Sequence, residues 1–199
     1  MKRAEQLEKT RQAILKTATK LFLQKGFGET STRDIAKQIG ITQPALYHHF
    51  NDKEVLYLEV MTRLSRKIRQ EINKIIRKHS LKPEEQLLEI VHILKKYHPL
   101  SIYDQYNQAM VLLSKSAQQK LNMIFTMDYL EPIGDYFKQS EVNLRADLLP
   151  KEAAEIFLAS LAPVFGTYQL IGGHSITTEQ RDKLIVDCIV NGLAKRNEF

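Results

Sequence analysis

The chain has 199 residues, of which 29 are Lys or Arg, 23 are Asp or Glu and 43% are apolar. This length allows one or two domains with a real hydrophobic core, and this composition excludes a disordered chain. A single cysteine, Cys188, excludes a disulfide framework and a cysteine-based zinc site. Because the first residues contain no apolar signal core, we expect a cytoplasmic protein.

The net charge of +6 is unevenly distributed along the chain. Residues 1–80 carry 17 basic and 8 acidic side chains, whereas residues 81–199 carry 12 basic and 15 acidic ones. A basic segment attracts polyanions through its long-range field. We therefore expect a polyanion-binding module at the amino terminus, followed by a part that faces other partners.

The spacing of apolar residues predicts an all-α fold. Apolar side chains recur at intervals of three and four, and no useful length alternates with period two. Glycines and capping residues set the expected boundaries. The predicted helices cover residues 3–25, 31–39, 42–50, 53–78, 83–96, 101–117, 119–140 with a kink at Pro132 and Gly134, 150–173 and 177–196.

An uncharged run from Ile156 to Thr178 is long enough to cross a bilayer. However, it is interrupted by Pro163 and three glycines and contains several polar side chains. We interpret it as a helix buried between protein neighbours, and we expect no membrane partner.

Residues 31–50 show the spacing of a helix-turn-helix, in which two short helices flank a glycine-containing turn. Leu46 and Phe50 lie four residues apart and are expected to pack on the preceding helix. The opposite stripe then carries Gln43, Pro44, Tyr47 and His48. These side chains suit a DNA groove, because an amide can bond base edges and a hydroxyl or imidazole can meet phosphate.

The residues of this stripe also have interpretations that do not involve DNA. Tyr47 could be a packed tyrosine whose hydroxyl points into water. His48 and His49 could suggest a metal pair, but adjacent helical residues point about 100° apart and no third ligand is evident. We expect no metal and no cofactor.

The run from Arg11 to Leu56 resembles the amino-terminal DNA-binding domain of the tetracycline-repressor (TetR) family. The resemblance covers about 60 residues, and beyond them only length and helical character agree. The matching positions are Ala18, Leu21-Phe22, Gly26-Phe27, Thr32, Ile35-Ala36, Gly40, Leu46-Tyr47, His49-Phe50, Lys53-Glu54 and Leu56.

The resemblance implies roles for individual residues at the DNA. Thr32 and Arg33 open the second helix against the DNA. Tyr47 and His49 contact phosphate or sugar, and Lys53 pairs with phosphate. The residues that approach the bases are Thr42, Gln43, Pro44 and Ala45.

The rest of the chain is expected to supply dimerisation and ligand binding. One helix-turn-helix reads too few bases, so two copies must present two recognition helices to a pseudo-palindromic duplex. The expected dimer contacts lie on two late helices: Ile156, Leu158, Leu161, Phe165, Leu184, Ile185, Cys188, Ile189 and Leu193. The alternative is that both are ordinary core helices of a monomer.

Aromatic and methionine side chains accumulate in the middle of the chain, and such residues can line an adaptable apolar pocket or fill a plain core. Family resemblance favours a pocket for a small-molecule effector, and scarce charge indicates a largely apolar or aromatic one. The candidate pocket residues are Tyr103, Tyr106, Met110, Phe125, Met127, Tyr129, Phe137, Phe165 and Tyr168.

We therefore predict a DNA-binding domain over residues 1–55, with its helix-turn-helix at about 31–50. A helix over 53–78 links it to a ligand-binding and dimerisation domain over 80–199. The predicted function is a homodimeric transcriptional repressor released from operator DNA by a small effector. The alternative is a dimeric co-regulator or adaptor that acts through a protein partner. The chain lacks the common catalytic sequence motifs, so we do not expect an enzyme.

Overall fold

A computed structural model describes residues 2–78, 80–165, 170–171 and 174–193. The elements are almost all helical, as the apolar spacing predicts. In chain order the α-helices are α1 Lys2–Glu29, α2 Thr32–Gln38, α3 Gln43–His49, α4 Lys53–Ile76, α5 Pro83–Tyr97, α6 Ile102–Leu112, α7 Lys115–Phe125, α8 Glu131–Phe137, α9 Pro150–Ser160, α10 Ala162–Phe165 and α11 Thr178–Leu193.

Shorter elements complete the described part. A π-helical turn spans Thr126–Leu130, and a 3-10 turn spans Ser140–Val142. The two-residue strands β1 (Leu170–Ile171) and β2 (His174–Ser175) pair antiparallel, with Leu170 opposite Ser175 and Ile171 opposite His174.

The chain forms two compact units. The first contains Met1–Leu64 together with Gln105–Ile124, and the second contains Ser65–Asp104 together with Phe125–Phe199. The sequence predicts a second domain over residues 80–199. In the structure, residues 105–124 group instead with the amino-terminal helices. The functional division into domains itself stays a prediction.

The first unit has a core built from helices that are distant in sequence. Phe22, Phe27 and Tyr57 form an aromatic cluster, in which the ring centres of Phe22 and Tyr57 lie 5.1 Å apart. Ala109 and Leu121, from α6 and α7, are buried in the same core. Burial raises the pKa of the Tyr57 phenol, which keeps it neutral inside this core.

The second unit packs α8 on α9 and α5 on α11. Its interior includes a buried polar group, Asp128, whose carboxylate accepts a hydrogen bond of 2.6 Å from Ser65 Oγ. A second buried carboxylate, Asp182, pairs with Lys95. Pairing of this kind is what makes a buried charge tolerable.

Three predicted helices are wrong in extent. The predicted helix over 101–117 ends at Leu112, and the next helix already begins at Lys115. The predicted helix over 150–173 ends at Ser160, because Pro163 has no N–H to donate to the preceding turn, and only the short α10 follows before the strands. The predicted kinked helix over 119–140 is divided by the π-helical turn that ends shortly before Pro132, where Glu131 N–H donates to Thr126 C=O.

The interruption of the first helix lies where the sequence predicts its end. Helical geometry breaks at Gly26, which has φ of 79° and ψ of 176°, and a short helical piece then runs to Glu29. Glycine adopts a positive φ at little cost, so it can make this break. Among the described residues, no helix is both long and apolar enough to cross a membrane.

Candidate nucleic-acid interface

Local signals in the sequence build the α2–α3 pair. Ser31 caps α2 by accepting a 3.0 Å hydrogen bond from Asp34 N–H, and Thr42 caps α3 by accepting one from Ala45 N–H. Gly40 makes the turn between them with φ of 71°. A Cβ added to Gly40 would meet no atom within 4 Å beyond the adjoining residues, so the backbone conformation alone calls for glycine.

The inner side of α3 anchors it in the first unit. Leu46 is fully buried and Phe50 is 2% exposed, and both lie in one core with Ile35 and Ala36 of α2. The guanidinium carbon of Arg11 lies 4.9 Å from the centre of the Phe50 ring. This anchoring determines which side of α3 faces outward.

The outer side of α3 carries the predicted stripe. Pro44, Tyr47 and His48 are exposed, and Gln43 is half-buried. Tyr47 retains 41% of its surface. The orientation predicted for the stripe therefore agrees with the structure, and its contact with DNA stays a prediction.

The structure corrects the placement of Thr32. The residue is only 5% exposed, so it offers little surface at the predicted DNA interface. Its hydroxyl accepts a 2.9 Å hydrogen bond from Gln43 Nε2 and lies 3.1 Å from the Tyr47 hydroxyl. The partners are 11 and 15 residues away, and no sequence spacing indicated this arrangement.

The remaining predicted DNA residues surround the stripe with varied exposure. Arg33 and Thr42 are exposed, while Ala45 and His49 are half-buried. Partial burial, the neighbouring His48 and the Arg11 charge lower the pKa of His49, with Glu8 opposing them. A neutral imidazole at neutral pH can still offer one hydrogen-bond donor and one acceptor.

Residues 14–60 match the family described as bacterial regulatory proteins, tetR family. Over 59 residues the chain is 44% identical to the HTH-type transcriptional regulator AcrR of Shigella flexneri, which is 30% of this chain and 27% of that protein. The matches to the first curated relatives thus span well under two thirds of those proteins' lengths. The likeness in sequence to the tetR family is therefore confined to an amino-terminal segment that contains α2 and α3.

Solved structures extend the likeness in fold to most of the chain. A TetR-family transcriptional regulator from Agrobacterium tumefaciens matches 94% of this chain and 99% of its own, with a TM-score of 0.72 and 17% identity. AibR, solved with isovaleryl coenzyme A and operator DNA, matches 92% and 97%, with a TM-score of 0.61 and 22% identity. At such identities the likeness establishes the fold. The names of the Shigella relative and of the Agrobacterium structure denote transcriptional regulators.

Lys53, a further position in the tetR-family match, begins α4 beside the end of α1. Its ammonium nitrogen lies 4.2 Å from the centre of the Phe27 ring and donates a 3.5 Å hydrogen bond to Gly28 C=O. Partial burial lowers its pKa. The ring and carbonyl hold the cation in a defined place, which suits a fixed phosphate contact.

The predicted pocket residues are not brought together as one set. Tyr106 and Met110 belong to the first unit and pack against its core. Phe125 and Tyr129 stack in the second unit with ring centres 5.5 Å apart, beside Tyr103.

The other pocket candidates lie in different surroundings. Phe137 packs edge-on against Phe157, Met127 is exposed and Phe165 is half-buried. Tyr168 lies outside the described residues. The pocket therefore stays a prediction, reduced to the rings of the second unit.

The predicted dimer residues divide into an open group and a buried group. Leu158 and Leu161 are 3% and 1% exposed, so they belong to the interior of the second unit and offer almost no surface to a partner. The side chain of Leu193 lies outside the described residues. A groove of about 500 Å³ between α9 and α11 is lined by the open group, which is Ile156, Leu184, Ile185, Cys188 and Ile189, together with Ser160 and Gly192, which were not predicted.

Metal binding has no support in the part of the chain that the structure describes. No group of three or more His, Cys, Asp or Glu side chains there could hold a metal ion. The rings of His48 and His49 lie 5.9 Å apart in an edge-to-face arrangement.

Proposed function

We propose that this protein is a homodimeric, sequence-specific DNA-binding repressor that a small, largely apolar or aromatic effector releases from its operator. The observation that carries the proposal is the outer stripe of α3, which is anchored from behind by Leu46 and Phe50. The exposed side of α3 carries an amide, a pyrrolidine, a phenol and an imidazole. This combination is unusual for a surface that contacts only water. These groups match the donors, acceptors and methyl groups of a major groove.

Charge supports the same role. The first 80 residues have a net charge of +9, and Arg33 and Lys37 are exposed cationic side chains on α2. Cationic side chains near phosphates release condensed counterions, and this release makes affinity fall steeply with salt.

The apolar groove supports a dimer. Ile156 and Leu184 each retain 41% of their surface, and Cys188 is exposed. On α11 the groove residues repeat at intervals of four, so they form a continuous stripe along one helix. A second copy of the same two helices would cover this stripe through a two-fold contact.

Two observations support an effector site: an aromatic cluster in the second unit, and one solved structure of similar fold. Tyr103, Phe125 and Tyr129 form an aromatic cluster in which Tyr129 is hydrogen-bonded to buried His98 at 2.9 Å. AibR is named in complex with isovaleryl coenzyme A and operator DNA, which is a precedent for an effector and DNA on one such fold. Release requires that the effector bind the DNA-free form more tightly than the DNA-bound form.

The deciding experiment is selection of duplexes from a random library by the purified protein, followed by footprinting. We expect a two-fold symmetric site whose affinity falls steeply with salt. Gln43→Ala should weaken binding to that site by about 1–3 kcal/mol per half-site, while the protein remains folded. Gln119→Ala, at an exposed position of α7, is the matched control and should bind as the wild type does. Failure to select any duplex at any salt would contradict the proposal and favour an adaptor that acts through another protein.

A further inference from the structure

Thr32 is a buried hydroxyl that connects the two polar side chains of the recognition helix. Gln43 and Tyr47 lie four residues apart on the same side of α3, and Thr32 belongs to the preceding helix. Thr32 is 5% exposed, whereas Tyr47 is 41% exposed. The contact therefore joins a fixed group inside the protein to two groups nearer the surface.

The hydrogen-bond capacity of the three side chains allows a directed chain that runs from Gln43 through Thr32 to Tyr47. Gln43 Nε2 donates to Thr32 Oγ1, so the single hydroxyl hydrogen of Thr32 remains available. At 3.1 Å it can be donated to the Tyr47 oxygen. The phenolic hydrogen of Tyr47 is then directed away from Thr32, toward the exposed side of α3.

We infer that Thr32 is a positioning residue, which sets the Gln43 amide and the Tyr47 hydroxyl in their DNA-reading orientation before DNA binds. This inference rests on the proposed DNA-binding function and deepens it. Long polar side chains lose rotamer freedom when they bind, and an internal anchor removes part of that cost in advance. Hydrogen bonds in a chain also polarise one another, which makes the outward Tyr47 hydroxyl a better donor to phosphate.

The same geometry indicates which base Gln43 reads. With one amide hydrogen held by Thr32, Gln43 retains its Oε1 acceptor and a second N–H donor. Adenine offers the complementary pair in the major groove, since its N6 amino group donates and its N7 accepts. We expect an adenine at the position that Gln43 contacts in each half-site.

The test uses the full-length protein and the duplex that the wild type selects from a random library. Thr32→Val keeps the shape of the side chain and removes its hydroxyl. We expect affinity for the selected duplex to fall about tenfold, as is usual for one or two lost hydrogen bonds, and the preference for adenine to relax. Affinity for a random duplex should change by less than about twofold, because phosphate attraction dominates there.

Controls separate positioning from folding. Thr32→Ser retains the hydroxyl and should restore both affinity and base preference. Thr30→Val removes a similarly buried hydroxyl, which donates to Gly26 C=O at 2.8 Å, and should leave base preference intact. Should Thr32→Val fail to fold, Thr32→Ala with Thr30→Ala provides the same comparison.

A double-mutant cycle gives the sharpest outcome. In a Gln43→Ala background, Thr32→Val should weaken binding to the selected duplex by less than about threefold. The reason is that Gln43→Ala has already removed the amide that Thr32 positions. The inference is overturned if the Thr32→Val variant binds the duplex as tightly as the wild type does. It is also overturned if Thr32→Val lowers the affinity tenfold in both backgrounds. A preference for guanine at the Gln43 position would contradict the amide orientation. If the wild type selects no duplex, the proposed function fails instead.

Discussion

The α2–α3 segment and the α9–α11 segment carry the two proposed interfaces, and they differ in the origin of their geometry. In α2–α3 the caps, the glycine turn and the buried anchor all lie within about 20 residues of one another. In α9–α11 the groove joins residues nearly 30 positions apart, and its two helices are separated by a proline and a strand pair. Short-range signals were sufficient for the first surface, whereas the second depends on how distant helices pack.

The largest expected effect tests the anchor of the first surface. Leu46→Ala removes a fully buried side chain and should lower the free energy of unfolding by about 2–5 kcal/mol, because a cavity adds to the lost burial. Chemical denaturation followed by circular dichroism measures this change. Leu184→Ala, at a side chain that is 41% exposed, should cost less than about 1 kcal/mol within the protomer. Equal losses at both positions would contradict the contrast between anchor and open groove.

The second test introduces a charge into the groove. Ile156→Lys should weaken self-association about 100-fold or more, since an unpaired ammonium would be buried at the proposed contact. Sedimentation over a concentration series measures the dissociation constant. Leu149→Lys, at an exposed leucine outside the groove lining, is the control and should leave association unchanged. Unaltered association of the Ile156 variant would place the dimer contact elsewhere.

The third test compares the effect on stability of replacing one glycine in each segment, and the expected effect is smaller. Gly40 has φ of 71°, so Gly40→Ala should destabilise the protein by about 1 kcal/mol through backbone strain, although no neighbouring atom obstructs a Cβ. Gly192 lies within α11 and likewise has open space, so Gly192→Ala should favour the helix by up to about 1 kcal/mol. Thermal unfolding at a protein concentration low enough to keep the chain monomeric distinguishes the opposite signs. A stabilising Gly40→Ala would refute the strain argument.

The smallest expected effect concerns pH at the first surface. Burial, His48 and Arg11 lower the pKa of His49 in the folded protein, so the unfolded chain binds a proton more readily between the two pKa values. Stability should therefore be fully present above the ordinary histidine pKa and decline slightly as the pH falls from about 7.5 to about 5.5. Denaturation midpoints at the two pH values measure this decline, which His49→Asn should reduce. His92→Asn, in the second unit, should leave it as in the wild type.

The sequence predicts the outward orientation of the α3 stripe well, and it is less informative about the hydrogen bonds behind that stripe. Ser31, Thr42 and Gly40 act on their own neighbours, so their roles can be read from spacing alone. Thr32 was predicted as a surface residue because its position at the start of α2 does not reveal Gln43 and Tyr47, which approach it only after folding. A hydrogen bond between side chains 15 residues apart leaves no periodic trace in a sequence.

The second unit was predicted less completely for a similar reason. Ile156 and Leu158 are both apolar residues of an apolar helix, and composition does not distinguish the exposed one from the buried one. That distinction depends on which side of α9 packs within the unit. The grouping of residues 105–124 with the first unit likewise depends on contacts such as the 2.9 Å hydrogen bond from Gln105 Nε2 to Leu23 C=O.

The amino-acid sequence by itself determined the helical class, the boundaries of α2 and α3, and the outward stripe whose chemistry points to DNA as the partner. These features follow from capping, glycine conformation and helical period, which act within one or two turns. Only the tertiary structure decided that Thr32 faces inward, that the groove excludes Leu158 and Leu161, and which helices share a core. Those outcomes depend on packing between distant segments, whose free energy is a property of the folded chain as a whole.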